Sequence, residues 1–190
     1  PFAEFTLYHF LNRELKVRSE FSPMMNRLML NPALLSLEQV GGFVSDLKKQ
    51  RPRFLKGSPS SLSVFAGLMA MKGLVYDGLK AVFTTGELLL PSQRTQIEKV
   101  FGCRILDSYG HMERTVAICQ CSRGRYHVNS DYGILEVEKD DGNSSSPTLS
   151  GNMIGTSLYS MAMPLIRYRI SDSVEMRADG QRCECGRGFP

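Results

Sequence analysis

The sequence predicts an α/β protein: a parallel sheet flanked by helices over residues 1–110, followed by a β-rich region over 111–190. Three observations predict it. Between residues 53 and 106, short β-like runs alternate with amphipathic helical stretches, the order that builds a parallel sheet covered by helices. After Tyr109 the helical period disappears and short strand-like runs separated by turn residues take over. The composition, 42% hydrophobic and 22% charged over 190 residues, is that of a globular chain able to bury a core without disulfide staples.

The elements follow in order. Residues 1–35 read as short helices, with Leu28, Leu30, Leu34 and Leu35 apolar and a break at Asn31-Pro32. Ser36-Leu37-Glu38-Gln39 has the form of a capping box. Leu37, Val40, Phe43, Val44 and Leu47 then recur at helical spacing until Pro52. Residues 53–56 make a short strand. Ser58-Pro59 opens a helix with an N-cap hydroxyl and a first-turn proline, Leu62, Phe65, Ala66 and Met69 form its buried stripe, and Gly73 stops it. A strand over 79–84, a helix over 91–101 closed by Gly102 and a strand over 103–106 complete the first half. Six short strands are expected in the second, at 115–121, 125–129, 134–138, 153–159, 165–170 and 174–177. Asp140-Asp141-Gly142-Asn143 and residues 144–146 supply turn material, and the Ser/Gly-rich stretch over 144–155 reads as a loop.

Charge and composition narrow the function. Lys plus Arg is 23 against 19 Asp plus Glu, a net charge of +4, and the excess sits in residues 1–56. A balanced remainder is not the basic, aromatic-laced face of a nucleic-acid binder. The longest uncharged stretch, residues 142–166, is too polar for lipid. The start lacks a signal-peptide pattern, and without an initiator Met the chain is expected to be a segment of a longer one. Five Cys, an odd number, fit reduced thiols or metal ligands in a cytoplasmic protein better than a disulfide framework.

Four groups of residues carry chemistry. Asp107-Ser108-Tyr109-Gly110-His111-Met112-Glu113 follows a strand where ligands meet open α/β sheets, with an aromatic face at Tyr109, close backbone access at Gly110 and a hard oxygen donor for Mg²⁺ at Glu113. His111 and His9 read as surface or packing residues. In Arg167-Tyr168-Arg169-Ile170-Ser171-Asp172 the two arginines share one strand face and invite an anion, or else make a salt-bridged exposed strand; Asp172 is placed to accept two ribose hydroxyls. Thr84-Thr85-Gly86-Glu87 lies between strand and helix. Cys121, His127, Cys183 and Cys185 offer three thiolates and an imidazole, a closed structural Zn²⁺ set, with Cys119 in reserve and Cys103 buried in a strand.

Together and in this order, these pieces resemble the phenylacetate–coenzyme A ligase branch of the adenylate-forming (AMP-binding) enzymes, nearest to the CapK-like and coenzyme F390 synthetase-like proteins. The resemblance runs from about residue 36 to the end. Its carriers are Lys56-Gly57-Ser58-Pro59-Ser60, Thr84-Thr85-Gly86-Glu87, Arg94 with Ile97-Glu98 and Phe101-Gly102, the Asp107-to-Glu113 motif, Tyr126-His127-Val128, Pro164-Leu165-Ile166 continuing to Asp172, and Cys183-Glu184-Cys185-Gly186-Arg187. The resemblance implies part of the large N-terminal domain of such an enzyme. The intact protein would convert a carboxylic acid and ATP, with Mg²⁺, to acyl-AMP, and pass the acyl group to a thiol such as coenzyme A.

It also implies roles. Tyr109 would pack on adenine beside Gly110, Glu113 would act catalytically by placing Mg²⁺ and phosphate, Asp172 would hold the ribose, and Thr85, Gly86, Glu87, Asp107 and Arg169 would line the nucleotide. Related enzymes are often homodimers. The chain departs from the family pattern at Met112, where Ser or Thr is usual, and at Ile170-Ser171, where Thr-Gly is usual. The phosphate loop and lid domain of the family are absent from this stretch, so the segment alone is expected to be inactive. The competing reading is a non-catalytic, zinc-stabilised homologue that binds a ligand or partner.

Overall fold

The structure is a computed structural model that describes residues 1–6, 14–139, 148–177 and 182–187. His9 and the turn expected over 140–146 lie outside the described residues. The chain divides into two compact units, Pro1–Asp107 and Ser108–Pro190.

In the first unit, β1 (Phe2–Phe5) runs parallel to both β3 (Arg27–Leu30) and β4 (Phe54–Gly57), and β2 (Ser19–Ser22) pairs antiparallel with β3. β5 (Ala81–Thr84) and the first four residues of β6 (Arg104–Gly110) extend the parallel set, giving the order β2-β3-β1-β4-β5-β6. The helices expected over residues 1–35 are therefore a correction: apart from a 3-10 turn at Pro32–Leu34, the described part of this region makes sheet. Leu28, Met29 and Leu30 are all buried in succession, and a strand buried on both sides has no polar alternation to betray it.

Helix α1 (Val40–Gln50) joins β3 to β4. Half of the capping box forms: the Ser36 hydroxyl accepts from the Gln39 amide at 3.2 Å, and it donates to Glu38 at 3.3 Å. Arg51 in the left-handed region and Pro52 end the helix. Helix α2 (Pro59–Met71) opens as expected on the Ser58 hydroxyl, which takes the Ser61 amide. Helix α3 (Pro91–Phe101) closes on Gly102 at φ 62°, a conformation glycine adopts without steric cost. The helices send Phe43 and Leu47, Leu62 and Phe65, and Ile97 and Phe101 into one core with Ala3, Phe5, Leu55, Val82 and Ile105 of the strands. On the opposite strand parity, Phe2, Phe54 and Phe83 gather with ring centroids 5.9–6.4 Å apart.

In the second unit, the last three residues of β6 pair antiparallel with β7 (Ala117–Gln120), which pairs with β8 (Tyr126–Val128). A second antiparallel sheet has the order β11-β10-β9, from β9 (Gly133–Lys139), β10 (Thr148–Ser157) and β11 (Tyr168–Arg177). Val116, Ile118, Met153 and Ile170 form its core. Two expectations change here. From Thr148 onward the Ser/Gly-rich stretch is strand, and the separate strands expected at 165–170 and 174–177 are one. That strand carries a bulge. Asn152 pairs with Ser173 and Ile154 with Arg169, so Ile170, Ser171 and Asp172 stand opposite the single residue Met153. Bulges bend a strand and re-aim its side chains.

Candidate functional site

The first unit holds Thr85, Gly86, Glu87 and Asp107. Thr84 and Asp107 are register partners on β5 and β6, and the Thr84 hydroxyl donates to the Asp107 carboxylate. Gly86, at φ 84°, turns the chain directly after β5. Glu87 then reaches the start of α2, where its two oxygens accept from the Ser60 amide at 3.0 Å and the Ser60 hydroxyl at 2.8 Å. A carboxylate there satisfies an orphan amide and the positive end of the helix dipole. The family-like Arg94 and Glu98 are structural: Arg94 donates to the Ile105 carbonyl at 3.1 Å and Glu98 accepts the Ile105 amide at 3.0 Å, pinning α3 to β6.

The second unit holds Tyr109, Gly110, Glu113, Arg169 and Asp172. Tyr109 lies at the end of β6, and its hydroxyl donates to Asp172 Oδ2 at 2.5 Å, so the β11 bulge aims the carboxylate at the ring. Burial, then the Asp172 bond and charge, push the Tyr109 phenol well above its ordinary pKa. Gly110 is exposed, and a Cβ built there would meet nothing within 4 Å. Arg169 does not turn to Asp172; it pairs with Glu138 at 2.8 Å, as Arg167 pairs with Glu136 at 3.1 Å, so the two arginines make the salt-bridged exposed face.

Glu113 lies in a turn closed by the Arg114 amide on the His111 carbonyl, with Arg114 at φ 55°. His111 Nδ1 meets Glu113 Oε2 at 3.0 Å and its Nε2 meets Thr115 Oγ1 at 3.0 Å. The hydrogen bond from His111, helped by Glu113's own backbone N–H, holds that carboxyl below its ordinary pKa. Met112 points to solvent, 89% exposed, and offers no polar atom. His111, expected as a surface or packing residue inside this motif, is mostly enclosed, and the turn brings residues 111, 113 and 115 together.

Cys121, His127, Cys183 and Cys185 converge, with their ligand atoms all within 4.8 Å of one another. Cys121 Sγ lies 3.8 Å from Cys183 Sγ, and Cys185 Sγ 3.4 Å from His127 Nε2. A tetrahedron with Zn–S near 2.3 Å and Zn–N near 2.0–2.1 Å has edges of about 3.8 Å and about 3.6 Å, so the donor set and its spacing fit that ion. Burial works against the Cys121 thiolate, but the Arg123 and Arg125 backbone bonds, His127 and Cys183 outweigh it and bring its pKa down to about 6. Cys119 stands apart and accepts from the Asn129 side chain. Cys103 is half-buried just before β6 rather than inside a strand.

The fold is that of the adenylate-forming CoA ligases. The chain superposes on 2-hydroxyisobutyryl-CoA ligase in complex with 2-HIB-AMP and CoA in the thioesterification state with a TM-score of 0.70 at 20% identity, covering 100% of this chain and 41% of that one. Against an open conformation of the same ligase the TM-score is 0.65 at 23% identity, over 85% of this chain and 39% of the other. In sequence, the chain is similar to Protein CapK of Staphylococcus aureus, 26% identical over 167 residues, which is 87% of this chain and 36% of CapK. It thus spans well under half the length of the relatives it matches. No protein-family profile matches it. Among the described residues, no helix is long and apolar enough to cross a membrane.

Proposed function

We propose that this chain is the nucleotide-side core of an acyl-adenylating ligase. The intact protein activates a carboxylic acid with ATP to acyl-AMP and delivers the acyl group to a thiol such as coenzyme A. The observation that carries the reading is the meeting of Tyr109 and Asp172, 63 positions apart in sequence, through a bulge that serves no pairing purpose. The resemblance assigns the ring to adenine and the carboxylate to ribose. The similarity to CapK and to CoA ligases captured with acyl-AMP and CoA supports the same reading.

In this reading Asp172 accepts from the ribose hydroxyls once its bond to Tyr109 opens. Glu113, half exposed and bonded by the His111 and Tyr168 side chains, is a hard oxygen donor suited to Mg²⁺. That cation, when bound, offsets negative charge on the phosphates. The chain's residues hold the nucleotide so that the carboxylate meets the α-phosphorus in line. The four-residue Cys/His cluster holds a structural Zn²⁺ that ties the 183–185 turn to β8, with no position left for water. The protein acts in the cytoplasm on small molecules.

Carboxylate-dependent exchange of pyrophosphate into ATP by the intact protein tests the reading, with silence across a broad panel of acids as the result against it. For this chain, adenosine nucleotide binding should weaken in Asp172→Ala; unchanged affinity would remove Asp172 from the ribose role.

A second reading has its own observations: the Tyr109 bond already occupies an Asp172 oxygen, and Met112 cannot hold phosphate. A non-catalytic, zinc-stabilised homologue would then use the cavity of about 300 Å³ beside His127 and Cys183, walled by Ile118, Val128, Leu135 and Val174. Tight ligand binding without exchange would select it.

A further inference from the structure

His111 has both ring nitrogens engaged, and the two partners are not equivalent. Glu113 is an exposed carboxylate, so at neutral pH it can only accept, and the proton between them belongs to His111 Nδ1. In the neutral ring Nε2 then carries a lone pair, and the Thr115 hydroxyl supplies its proton. The order Thr115 hydroxyl, His111 imidazole, Glu113 carboxylate imitates a nucleophile, base and orienting acid. Burial rules that role out. Thr115 has no exposed surface, so no substrate reaches its hydroxyl. The array works in the other direction, with Thr115 as anchor and Glu113 as the end that meets solvent.

The anchor is built with unusual care. A Cβ on Gly133 would stand 1.8 Å from the Thr115 carbonyl oxygen, and one on Gly155 would stand 2.1 Å from Thr115 Oγ1. Two strands, β9 and β10, thus give up a side chain each where Thr115 enters. Val116, its neighbour, is core, which fixes the backbone from the other side. His111 is itself mostly enclosed, with 10% of its side chain exposed against 42% for Glu113. A rigid support therefore ends in one exposed carboxylate. Exposed carboxylates ordinarily sample several rotamers; this one is tethered at Oε2 by His111, and the Tyr168 side chain bonds it as well.

From this arrangement we propose that His111 is a positioning residue, held by Thr115 as the Nδ1–H tautomer so as to fix the Glu113 carboxylate in one orientation toward the cation and phosphates. The proposal rests on the ligase reading of Glu113 and adds a residue to it. It also gives physical sense to Met112. With no hydroxyl at that position, the side chain that organises the turn is the one before it.

Two measurements separate the proposal from the reading beneath it. Long-range ¹H–¹⁵N correlation of the His111 ring reads the tautomer with no activity required: Nδ1–H is expected, shifting to mixed tautomers in Thr115→Val. An Nε2–H ring in the unaltered protein overturns the proposal whether or not the protein is a ligase. In the intact protein, His111→Asn keeps a donor near Nδ1, whereas His111→Gln keeps one near Nε2. Positioning predicts that Asn retains most of the pyrophosphate exchange, while Gln and Ala lose about tenfold or more in kcat with KM for ATP unchanged, the usual scale for groups that orient a ligating side chain. A Gln variant as active as Asn, or equal losses in all three, overturns it. Absence of exchange in the unaltered protein counts against the ligase reading and leaves the tautomer result to decide the hydrogen-bond array.

Discussion

The Tyr109 hydroxyl donates to the Asp172 carboxylate across the β11 bulge. The two side chains touch directly, so under the proposed ribose role of Asp172 the phenol and the ribose would compete for the same carboxylate oxygen. Tyr109→Phe removes the competitor and keeps the ring. Adenosine nucleotide affinity should hold or rise in that variant and fall in Asp172→Ala. Equilibrium binding measures both, and a loss in Tyr109→Phe as large as in Asp172→Ala would show that the hydroxyl, not the ring, does the binding.

The same bond makes stability sensitive to alkali. Burial and Asp172 raise the Tyr109 pKa from 10.0, and burial raises that of Tyr76, whose hydroxyl donates to the Pro52 carbonyl at 2.7 Å. Above the unfolded value the denatured chain loses protons that the native chain keeps, so stability is full below about pH 10 and declines as the pH rises beyond it. Phenolate absorbance should show a late-titrating component from Tyr109 and Tyr76. Tyr76→Phe should remove one, and Asp172→Asn should bring the other down. Absence of any late component would contradict both environments.

What was legible in the sequence follows from which signals are local. Helices α2 and α3 were read to the residue or nearly so, because Ser58-Pro59, Pro91 and Gly102 act on their own backbone. Strands β1 to β3 were missed because what makes them strands is distant: Phe2 to Phe5 lie between β3 and β4, partners about 25 and about 50 positions away. Cys121, His127, Cys183 and Cys185 were chosen over Cys119 on chemistry and spacing, and the structure gathers those four. The contacts of His111, expected as a surface or packing residue, had no sequence signal, because its partners sit two and four positions away in a turn, where neither helical nor strand periodicity points. The β11 bulge had no sequence signal, and it is what aims Asp172.

The Cys/His cluster predicts a metal requirement. Purified protein should contain about one zinc per chain, as one four-ligand site requires. Cys183→Ser should lower that content and the melting temperature together, because binding energy at such a site is folding energy. Chelation should release the 183–185 turn, seen as new thiol reactivity at Cys121, Cys183 and Cys185, while half-buried Cys103, whose pKa is raised by burial, reacts slowly throughout. Folded, metal-free protein with an unchanged melting curve would dispose of the zinc site.

Glu87 predicts a measurable link between the turn after β5 and the start of α2. Glu87→Ala leaves the Ser60 amide and hydroxyl without their carboxylate and should cost about 0.5–1 kcal/mol in urea unfolding, the scale of an exposed N-terminal cap. Glu87→Gln keeps an acceptor and loses the charge, so it should fall between, and added salt should narrow its difference from the unaltered chain. A Glu87→Ala protein of unchanged stability would show that the amide is as well served by water.

Glycines offer the sharpest contrast within one chain. Gly41 sits in the first turn of α1, and a Cβ there meets nothing within 4 Å. Gly41→Ala should therefore stabilise the protein by about 0.5–1 kcal/mol, by restricting the unfolded chain and favouring helix. Gly133→Ala forces a methyl to within 1.8 Å of the Thr115 carbonyl, which is backbone and cannot rotate away. The start of β9 must shift, taking with it the Gly133–Ser157 pairing and the support under His111. Overpacking of this kind costs about 1–3 kcal/mol or more. Paired urea titrations decide the matter: a Gly133→Ala protein as stable as the unaltered chain would mean that Thr115 is not held as closely as the anchor requires.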